Sequence, residues 1–376
     1  MSLILAIESS CDETSIAIIR DGNLLSNVVA TQIEMHQKFG GVMPELASRL
    51  HCENVLFVLD EALQKANVKL EDIDAFAFTR GPGLIGALHV GMQVAKTLAM
   101  LFGKPLIPVH HLAAHIYANE YVKPLQFPLL SIVVSGGNTE FVLMRESMKF
   151  EIIGETKDDA IGECFDKVAR TVGLPYPGGI PIDKLSKEGK HTYQLPFPLH
   201  DNSLDFSYSG LKTAVINLVN NEKQKGHEIN VPDLCKSFQD VAVGMIMDRL
   251  ESALKRYEIK QVVLAGGVSA NSYLREQMHN RLDNSGIDLI VPPIWCTTDN
   301  AAMIARLAEH LLKMNVVAPK FLEFVGDAPI VAHNGFDFDF PFINFELAKL
   351  GLPQISRDQQ RDSIVIARNR VFGPKA

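Results

Sequence analysis

The chain has 376 residues, 47% hydrophobic and 21% charged, with a formal net charge of -8. That length suggests two domains and a sizeable core; the negative balance argues against a broadly basic nucleic-acid surface, though a local basic patch or one completed by a partner subunit stays open. Five scattered cysteines (Cys11, Cys52, Cys164, Cys235, Cys296) without a CxxC pair point to a reduced, cytoplasmic protein, no basic n-region opens the chain, and no apolar run reaches the length of a membrane span.

Leu3–Ile7 and Thr14–Ile19 are β-branched runs around the polar turn Glu8-Ser-Ser-Cys-Asp-Glu13, a hairpin pattern, with Leu24–Val29 as a third strand. Pro44–Ala66 has helical periodicity after the Gly40-Gly41 break. Ala75–Thr79 reads as a short buried strand. Arg80-Gly-Pro-Gly-Leu-Ile-Gly86 then opens an apolar helix from Ala87 to Phe102. Leu106–Val109 is a strand, and a helix carrying His111-Leu-Ala-Ala-His115 follows. Leu129–Val134 and Glu140–Arg145 form a second hairpin around Ser135-Gly-Gly-Asn-Thr139. Asp158–Val172 is helical, and Gly173–Pro181 is a rigid loop rich in Pro and Gly. Helices over Ser209–Asn220 and Pro232–Tyr257 and a strand over Gln261–Ala265 come next. After the turn Gly266-Gly-Val-Ser-Ala-Asn271, a helix and the strand Leu289–Pro292 lead to a last helix reaching about Met314, with Thr or Asp of Thr297-Thr-Asp-Asn300 as its N-cap.

The two hairpins share a plan: an apolar strand, a turn with Ser and small polar residues ending in Thr, and another apolar strand. Two unrelated hairpins are the plain alternative. A repeated strand–turn–strand phosphate clasp is the plan of the actin-like ATPase fold, an α/β fold in which two similar mixed-sheet domains face each other across a nucleotide cleft.

Several constellations carry chemistry. Four-residue spacing puts His111 and His115 on one helix face, where two imidazoles can grip one divalent metal. A half-buried helix whose histidines bond only to backbone is the alternative. Asp299, at a helix start after a buried strand, is a candidate third ligand, a role compatible with N-capping. The first turn offers hydroxyls, amides and the carboxylates of Asp12 and Glu13, suited to phosphate and to a metal or polarised nucleophile; a solvated turn would look the same. In Val134-Ser-Gly-Gly-Asn138 the two glycines let backbone approach a phosphate. Ala265-Gly-Gly-Val-Ser-Ala-Asn271 has the pattern of a nucleotide pocket, with Asn271 offering amide hydrogen bonds, or of a simple tight turn. Asp166 and Asp183 flank the Pro/Gly loop and could bind ribose hydroxyls, with Gly178-Gly179 letting a ligand lie against backbone.

In order along the chain stand Ile7-Glu-Ser-Ser-Cys-Asp-Glu-Thr14, Gly40-Gly-Val-Met-Pro-Glu-Leu-Ala-Ser-Arg49, Arg80-Gly-Pro-Gly-Leu-Ile-Gly86, His110-His-Leu-Ala-Ala-His115, Val134-Ser-Gly-Gly-Asn-Thr139, Gly162-Glu-Cys-Phe-Asp-Lys167, Tyr176-Pro-Gly-Gly179, Phe206-Ser-Tyr-Ser-Gly-Leu-Lys212, Ala265-Gly-Gly-Val-Ser-Ala-Asn271 and Thr298-Asp-Asn-Ala-Ala302. As a set they resemble the tRNA N6-adenosine threonylcarbamoyltransferase family, over residues 1 to about 315. The resemblance implies the actin-like fold and transfer of a threonylcarbamoyl group from threonylcarbamoyl-AMP to N6 of adenosine 37, in tRNAs reading codons that begin with A. It implies His111, His115 and Asp299 as ligands of one divalent metal per subunit, iron(2+) foremost, with zinc or magnesium as alternatives. Val134, Ser135, Gly136, Gly137 and Asn138 would clasp the substrate's phosphate and carbamoyl region. Asp166, Gly179, Asp183 and Asn271 would hold its nucleoside, and Asp12 and Glu13 would stand near the reacting centre. Many members carry His where Asn138 stands; Asn still donates to an oxygen. Implied partners are tRNA, a paralogous actin-like subunit (TsaB-like) and a small P-loop ATPase (TsaE-like), with no membrane.

The implied division is residues 1–120 as one actin-like subdomain, completed by about 299–318, and 121–298 as the other. Beyond about Pro319 the sequence leaves the family. Residues 319–376, through Glu323–Asp337 with His333-Asn334 and Asp337, resemble a central piece of the DEDD-type proofreading exonucleases. The flanking motifs that two-metal nuclease chemistry requires are missing, so no nuclease activity is expected, and the piece is short for an independent core. Three other readings compete. An actin-like small-molecule kinase or ATPase does not need the His111/His115 pair, and a non-catalytic paralogue would have lost the metal ligands. A metalloprotease would carry the glutamate of HExxH.

Overall fold

Ten strands form two five-stranded mixed sheets with one and the same strand plan in this computed structural model, which describes residues 2–197, 202–313, 330–332, 339–349 and 353–362. The first sheet holds β1 (Leu3–Glu8), β2 (Glu13–Arg20), β3 (Asn23–Thr31), β4 (Ala75–Gly81) and β5 (Leu106–His110), in the order β3-β2-β1-β4-β5. The second holds β6 (Leu129–Val134), β7 (Thr139–Met144), β8 (Glu151–Glu155), β9 (Gln261–Ala265) and β10 (Asp288–Ile290), in the order β8-β7-β6-β9-β10. In each sheet the first two pairings are antiparallel and the last two parallel. The duplication suspected from the two hairpins therefore extends to every strand.

The helices of the two halves are α1 (Ile33–Gln37), α2 (Pro44–Ala66), α3 (Ile85–Phe102), α4 (His111–Tyr117), α5 (Ile161–Thr171), α6 (Gly179–Ser186), α7 (Ser209–Gln224), α8 (Val231–Arg256), α9 (Ser272–Leu282) and α10 (Ala301–Lys313). Side chains alternate across a strand, and both faces of the central strands are covered. On β1, Leu3, Leu5 and Ile7 pack with α2 and α3 through Val58, Leu59, Ala95 and Leu98, while Ile4 and Ala6 turn to the opposite face. On β6, Leu130, Ile132 and Val134 pack with Phe165, Phe238 and Ile246 of α5 and α8, while Leu129 and Val133 turn back. Those inward residues of both sheets meet one shared layer, α4 with Ile116 and α10 with Ile304 and Leu307. Each such buried aliphatic side chain contributes roughly 1.5–3 kcal/mol. The shared layer positions the site: it brings the histidine helix against the helix that begins just after Asp299.

Several elements differ from the sequence expectation, among them the short helix α1, which no periodic signal marked. The edge strand β8 carries Glu at both ends, so its period-2 signal is weak. Helix α6 lies partly in what reads as the Pro/Gly loop; Pro181 falls in its first turn, where the missing N–H would be unpaired in any case. Helix α3 corrects the membrane reading, because it is long and apolar enough, by length and composition, to cross a membrane. Its Ala87, Gly91, Ala95, Leu98 and Ala99 are buried against the first sheet.

In the tail, β11 (Ile330–Ala332) and β12 (Gln360–Asp362) pair in parallel, with α11 (Asp339–Lys349) between them in sequence. Asn344 exchanges two hydrogen bonds with the backbone of Ile355. His333, Asn334 and Asp337 lie outside the described residues.

Candidate active site

Ligands of open α/β sheets bind beyond the carboxyl ends of the parallel strands. At those ends stand the turns after β1, β4 and β5 on one side, and those after β6, β9 and β10 on the other. Contacts cross between the two sides. Arg170 of α5 donates to the Gly40 carbonyl, and Gln37 of α1 donates to the Tyr176 carbonyl at 2.8 Å.

The histidine pair lies where β5 runs into α4. His110 caps that helix, its Nδ1 accepting from the Ala113 N–H, which leaves His111 and His115 a turn apart with ring centroids 4.8 Å from each other. Both Nε2 atoms converge on one oxygen, Asp299 Oδ1, at 3.3 Å from His111 and 3.1 Å from His115. Asp299 is free for this because Asn300, not Asp299 or a threonine, caps α10: its Oδ1 accepts from the Met303 N–H at 3.2 Å, and its amide donates to Thr298. The structure thus corrects the expected cap, and the two roles of Asp299 do not have to be shared.

The three side chains fit a divalent metal. One ligand atom from each lies within 4.8 Å of the others, and two imidazoles with one carboxylate are a common set for iron or zinc. His115 Nδ1 is buried without a hydrogen-bond partner. Burial alone would lower the His111 pKa, but Asp299 and Glu8 carry it well above the ordinary value. Asp299 is driven the other way: burial would raise it, and the two histidines hold it well below the usual carboxylate range.

Sequence reasoning missed Glu8. It ends β1 fully buried; its Oε2 lies 3.2 Å from His111 Nδ1 and accepts from the Thr79 hydroxyl, and its Oε1 accepts from the Ser10 N–H. The available signal was its place at the end of the apolar run Leu3–Ile7, since a charge on a doubly covered strand requires a partner.

Asp12 and Glu13 follow in the first turn and share a side-chain hydrogen bond; burial, and then the charge of Asp12, push Glu13 well above the carboxylate range. The hydroxyls of this turn are not free for phosphate. Ser9 Oγ donates to the Ala87 carbonyl and accepts from the Gly91 N–H, and Ser10 Oγ lies 3.3 Å from His111 Nδ1. The turn itself is tied to α1 and α2, Gln32 N–H donating to the Asp12 carbonyl and His51 bridging Thr14 and the Cys11 carbonyl.

On the facing side, the second turn closes on itself: Ser135 N–H donates to the Asn138 carbonyl, and Asn138 N–H to Ser135 Oγ. Gly136 and Gly137 are exposed with open space around them, and Val134 is buried in β6. The turn is seated by Gly162, where a Cβ would lie 2.5 Å from the Ser135 carbonyl oxygen and 2.8 Å from Gly136 Cα.

Asp166 accepts from the Gly178 N–H at 2.6 Å, and burial pushes its pKa up to about 6. Gly178 is not a surface for ligand, since a Cβ there would lie 2.4 Å from that of Ala169; Gly179 has open space. Asp183 accepts from the N–H and hydroxyl of Ser272, and Asn271 caps α9 through the Leu274 N–H while donating to Gln239. These two side chains come together as a hydrogen-bonded shelf at the start of α9. The Gln37–Tyr176 and Arg170–Gly40 hydrogen bonds bring this side against the first turn's side.

Twin mixed sheets with a His–His–carboxylate cluster at their shared layer define a member of the actin-like ATPase fold class. Full-length HypF, in its phosphate- and nucleotide-bound form, shares the fold with a TM-score of 0.55 at 16% identity, over 82% of this chain and 46% of that one. The activator of the 2-hydroxyisocaproyl-CoA dehydratase from Clostridium difficile, with bound ADPNP, matches with a TM-score of 0.50 at 14% identity, over 84% and 96%. Residues 23–306 match the family described as TsaD: tRNA N6-adenosine threonylcarbamoyltransferase. The protein of that name from Staphylococcus saprophyticus is 52% identical over 84% of this chain and 93% of its own length. That from Bacillus cereus is 54% identical over 81% and 90%. The chain belongs to the tRNA N6-adenosine threonylcarbamoyltransferase family.

Proposed function

We infer that this chain transfers the threonylcarbamoyl group of threonylcarbamoyl-AMP to N6 of adenosine 37, in tRNAs reading codons that begin with A. The observation that carries the site assignment is the convergence of the His111, His115 and Asp299 ligand atoms within 4.8 Å of one another. These three residues hold one divalent metal, iron(2+) in preference to zinc or magnesium; when bound, it supplies Lewis-acid polarisation of the carbamoyl carbonyl.

The mixed anhydride is already activated, so the chain mainly positions it. Val134 to Asn138 clasp its phosphate and carbamoyl region. Asp166 and Gly179 hold the nucleoside on the shelf built by Asp183 and Asn271. The N6 amine is a poor nucleophile, and the carboxylates Asp12 and Glu13 are the candidates to accept its proton as AMP leaves.

The chain divides into residues 1–120 with about 299–318, and 121–298; α10 packing against β1 and β2 supports that division. A TsaB-like subunit and a TsaE-like ATPase are the proposed protein partners, and the cytoplasm the proposed location. The tail, residues 319–376, is a proposed exonuclease-like fragment without nuclease activity.

The test is transfer to unmodified tRNA by purified protein with threonylcarbamoyl-AMP and the partner subunits, His111→Ala and His115→Ala beside the wild type. Modified adenosine in the wild type and at least 100-fold less in both variants is the expected result. ATP turnover on a small molecule without tRNA product would replace the transferase by a kinase of the same fold.

A further inference from the structure

We propose that Glu8 is a positioning residue that orients the His111 imidazole for metal binding; the proposal rests on the metal-centre reading above. Glu8 ends β1, and Thr79 follows Phe78 on the adjacent parallel strand β4, whose register pairs Ile7 with Phe78. There the Thr79 hydroxyl and the Ser10 N–H each donate to one carboxylate oxygen and fix the plane of the group. The remaining acceptor direction of Oε2 faces His111 Nδ1 at 3.2 Å, while His111 Nε2 faces Asp299 on the other side of the ring.

An ionised carboxylate has no proton to give, so it selects the ring form with hydrogen on Nδ1. When a metal displaces the other ring proton, the lone pair is on Nε2, the atom directed at Asp299. A carboxylate behind a ligating imidazole fixes its tautomer and raises its basicity, and loss of such a partner typically costs about 10–100-fold in metal affinity. Ser10 Oγ, 3.3 Å from the same nitrogen, would as a donor select the opposite form. Glu8 overrides it because a carboxylate cannot stably face the nitrogen lone pair.

The competing role is purely architectural: a buried carboxylate tying β1 to β4 with no effect on the metal. Glu8→Gln separates the two, because the amide keeps the shape and an acceptor but can donate to Nδ1. The probe is zinc alone, titrated into metal-free protein against a chromophoric chelator, with long-range 1H–15N spectra of the histidines in the zinc-loaded state. Glu8→Gln is expected to weaken zinc binding about 10–100-fold and to remove the spectrum of a His111 ring protonated at Nδ1 and ligating through Nε2. Zinc affinity within twofold of wild type, with that spectrum unchanged, overturns the proposal and leaves the metal centre standing. A wild type that takes up no zinc overturns the metal-centre reading and this proposal with it. Should Glu8→Gln not fold, Thr79→Val releases the carboxylate from its hydroxyl donor while retaining Glu8; a several-fold loss of zinc affinity is then expected, and none overturns the assignment.

Discussion

Asp166 is a buried carboxylate whose charge costs the fold stability. The folded protein keeps its proton up to about pH 6, because burial disfavours the charge, whereas an unfolded chain releases it near pH ~4. Between these values the folded state binds more protons, so stability falls as pH rises and the full cost remains above the window. Asp166→Asn keeps an acceptor for the Gly178 N–H and removes the charge. We expect it to raise stability at pH 7.5 by on the order of 1–3 kcal/mol, an advantage that disappears near pH 4, while threonylcarbamoyl-AMP binds more weakly. Denaturant titrations at both pH values check the first part. Equal stability of the two proteins at pH 7.5 would show that Asp166 carries no such penalty. This residue stood out in the sequence through its spacing from the Pro/Gly loop; its raised pKa depends on α5 packing, which spacing does not reveal.

At the scale of an element, the start of α10 holds Asp299 in place, one residue ahead of the helix cap. Asn300 holds the cap, and the Ala301 and Ala302 N–H groups donate to Ser15 Oγ and Asn27 Oδ1, so the helix start is bolted to β2 and β3. Asn300→Ala is expected to cost about 1 kcal/mol of stability and to weaken zinc binding several-fold by letting Asp299 shift. Asn300→Ser, which retains a cap acceptor, is expected to recover most of both. Thermal melts and chelator competition on the two variants decide it; a melt unchanged by Asn300→Ala would refute the cap. The helix and its polar start are readable in the sequence. Which of four consecutive polar residues caps is not, because Thr297, Thr298, Asp299 and Asn300 are all acceptable there. The partner that claims Asp299 comes from a helix 184 residues earlier.

For the whole molecule, α1 and the loop after it reach from the first half to the second. The Arg170–Gly40 and Gln37–Tyr176 bonds are where they land. Removing both with Arg170→Ala and Gln37→Ala is expected to widen the cleft and raise KM for threonylcarbamoyl-AMP several-fold, with a smaller effect on kcat. Steady-state kinetics and solution scattering check it, and an unchanged KM would show that these bonds play no part in closing on substrate. Ending the chain after Ala318 is expected to leave the transfer rate unchanged, and the full chain is expected to degrade no single-stranded DNA with magnesium. A truncation that loses activity would assign the tail a role in the main body.

The features legible in the amino-acid order are local. Apolar runs and their turns set the strands and most helices, the four-residue spacing put His111 and His115 on one face, and the ordered motifs placed the chain in its family. These follow from periodicity and turn chemistry within a few residues. The pairing of distant groups emerges only when the chain packs. Packing matched the two sheets strand for strand and placed α4 and α10 in one layer between them. It turned the Ser9 and Ser10 hydroxyls into packing contacts, Gly178 into a close helix contact, and Glu8 from a turn residue into the carboxylate behind His111. The physical reason is that a polar group's role is set by whichever donor or acceptor is buried beside it. Across 103 residues of chain, as between Glu8 and His111, only the packed layers determine which one that is.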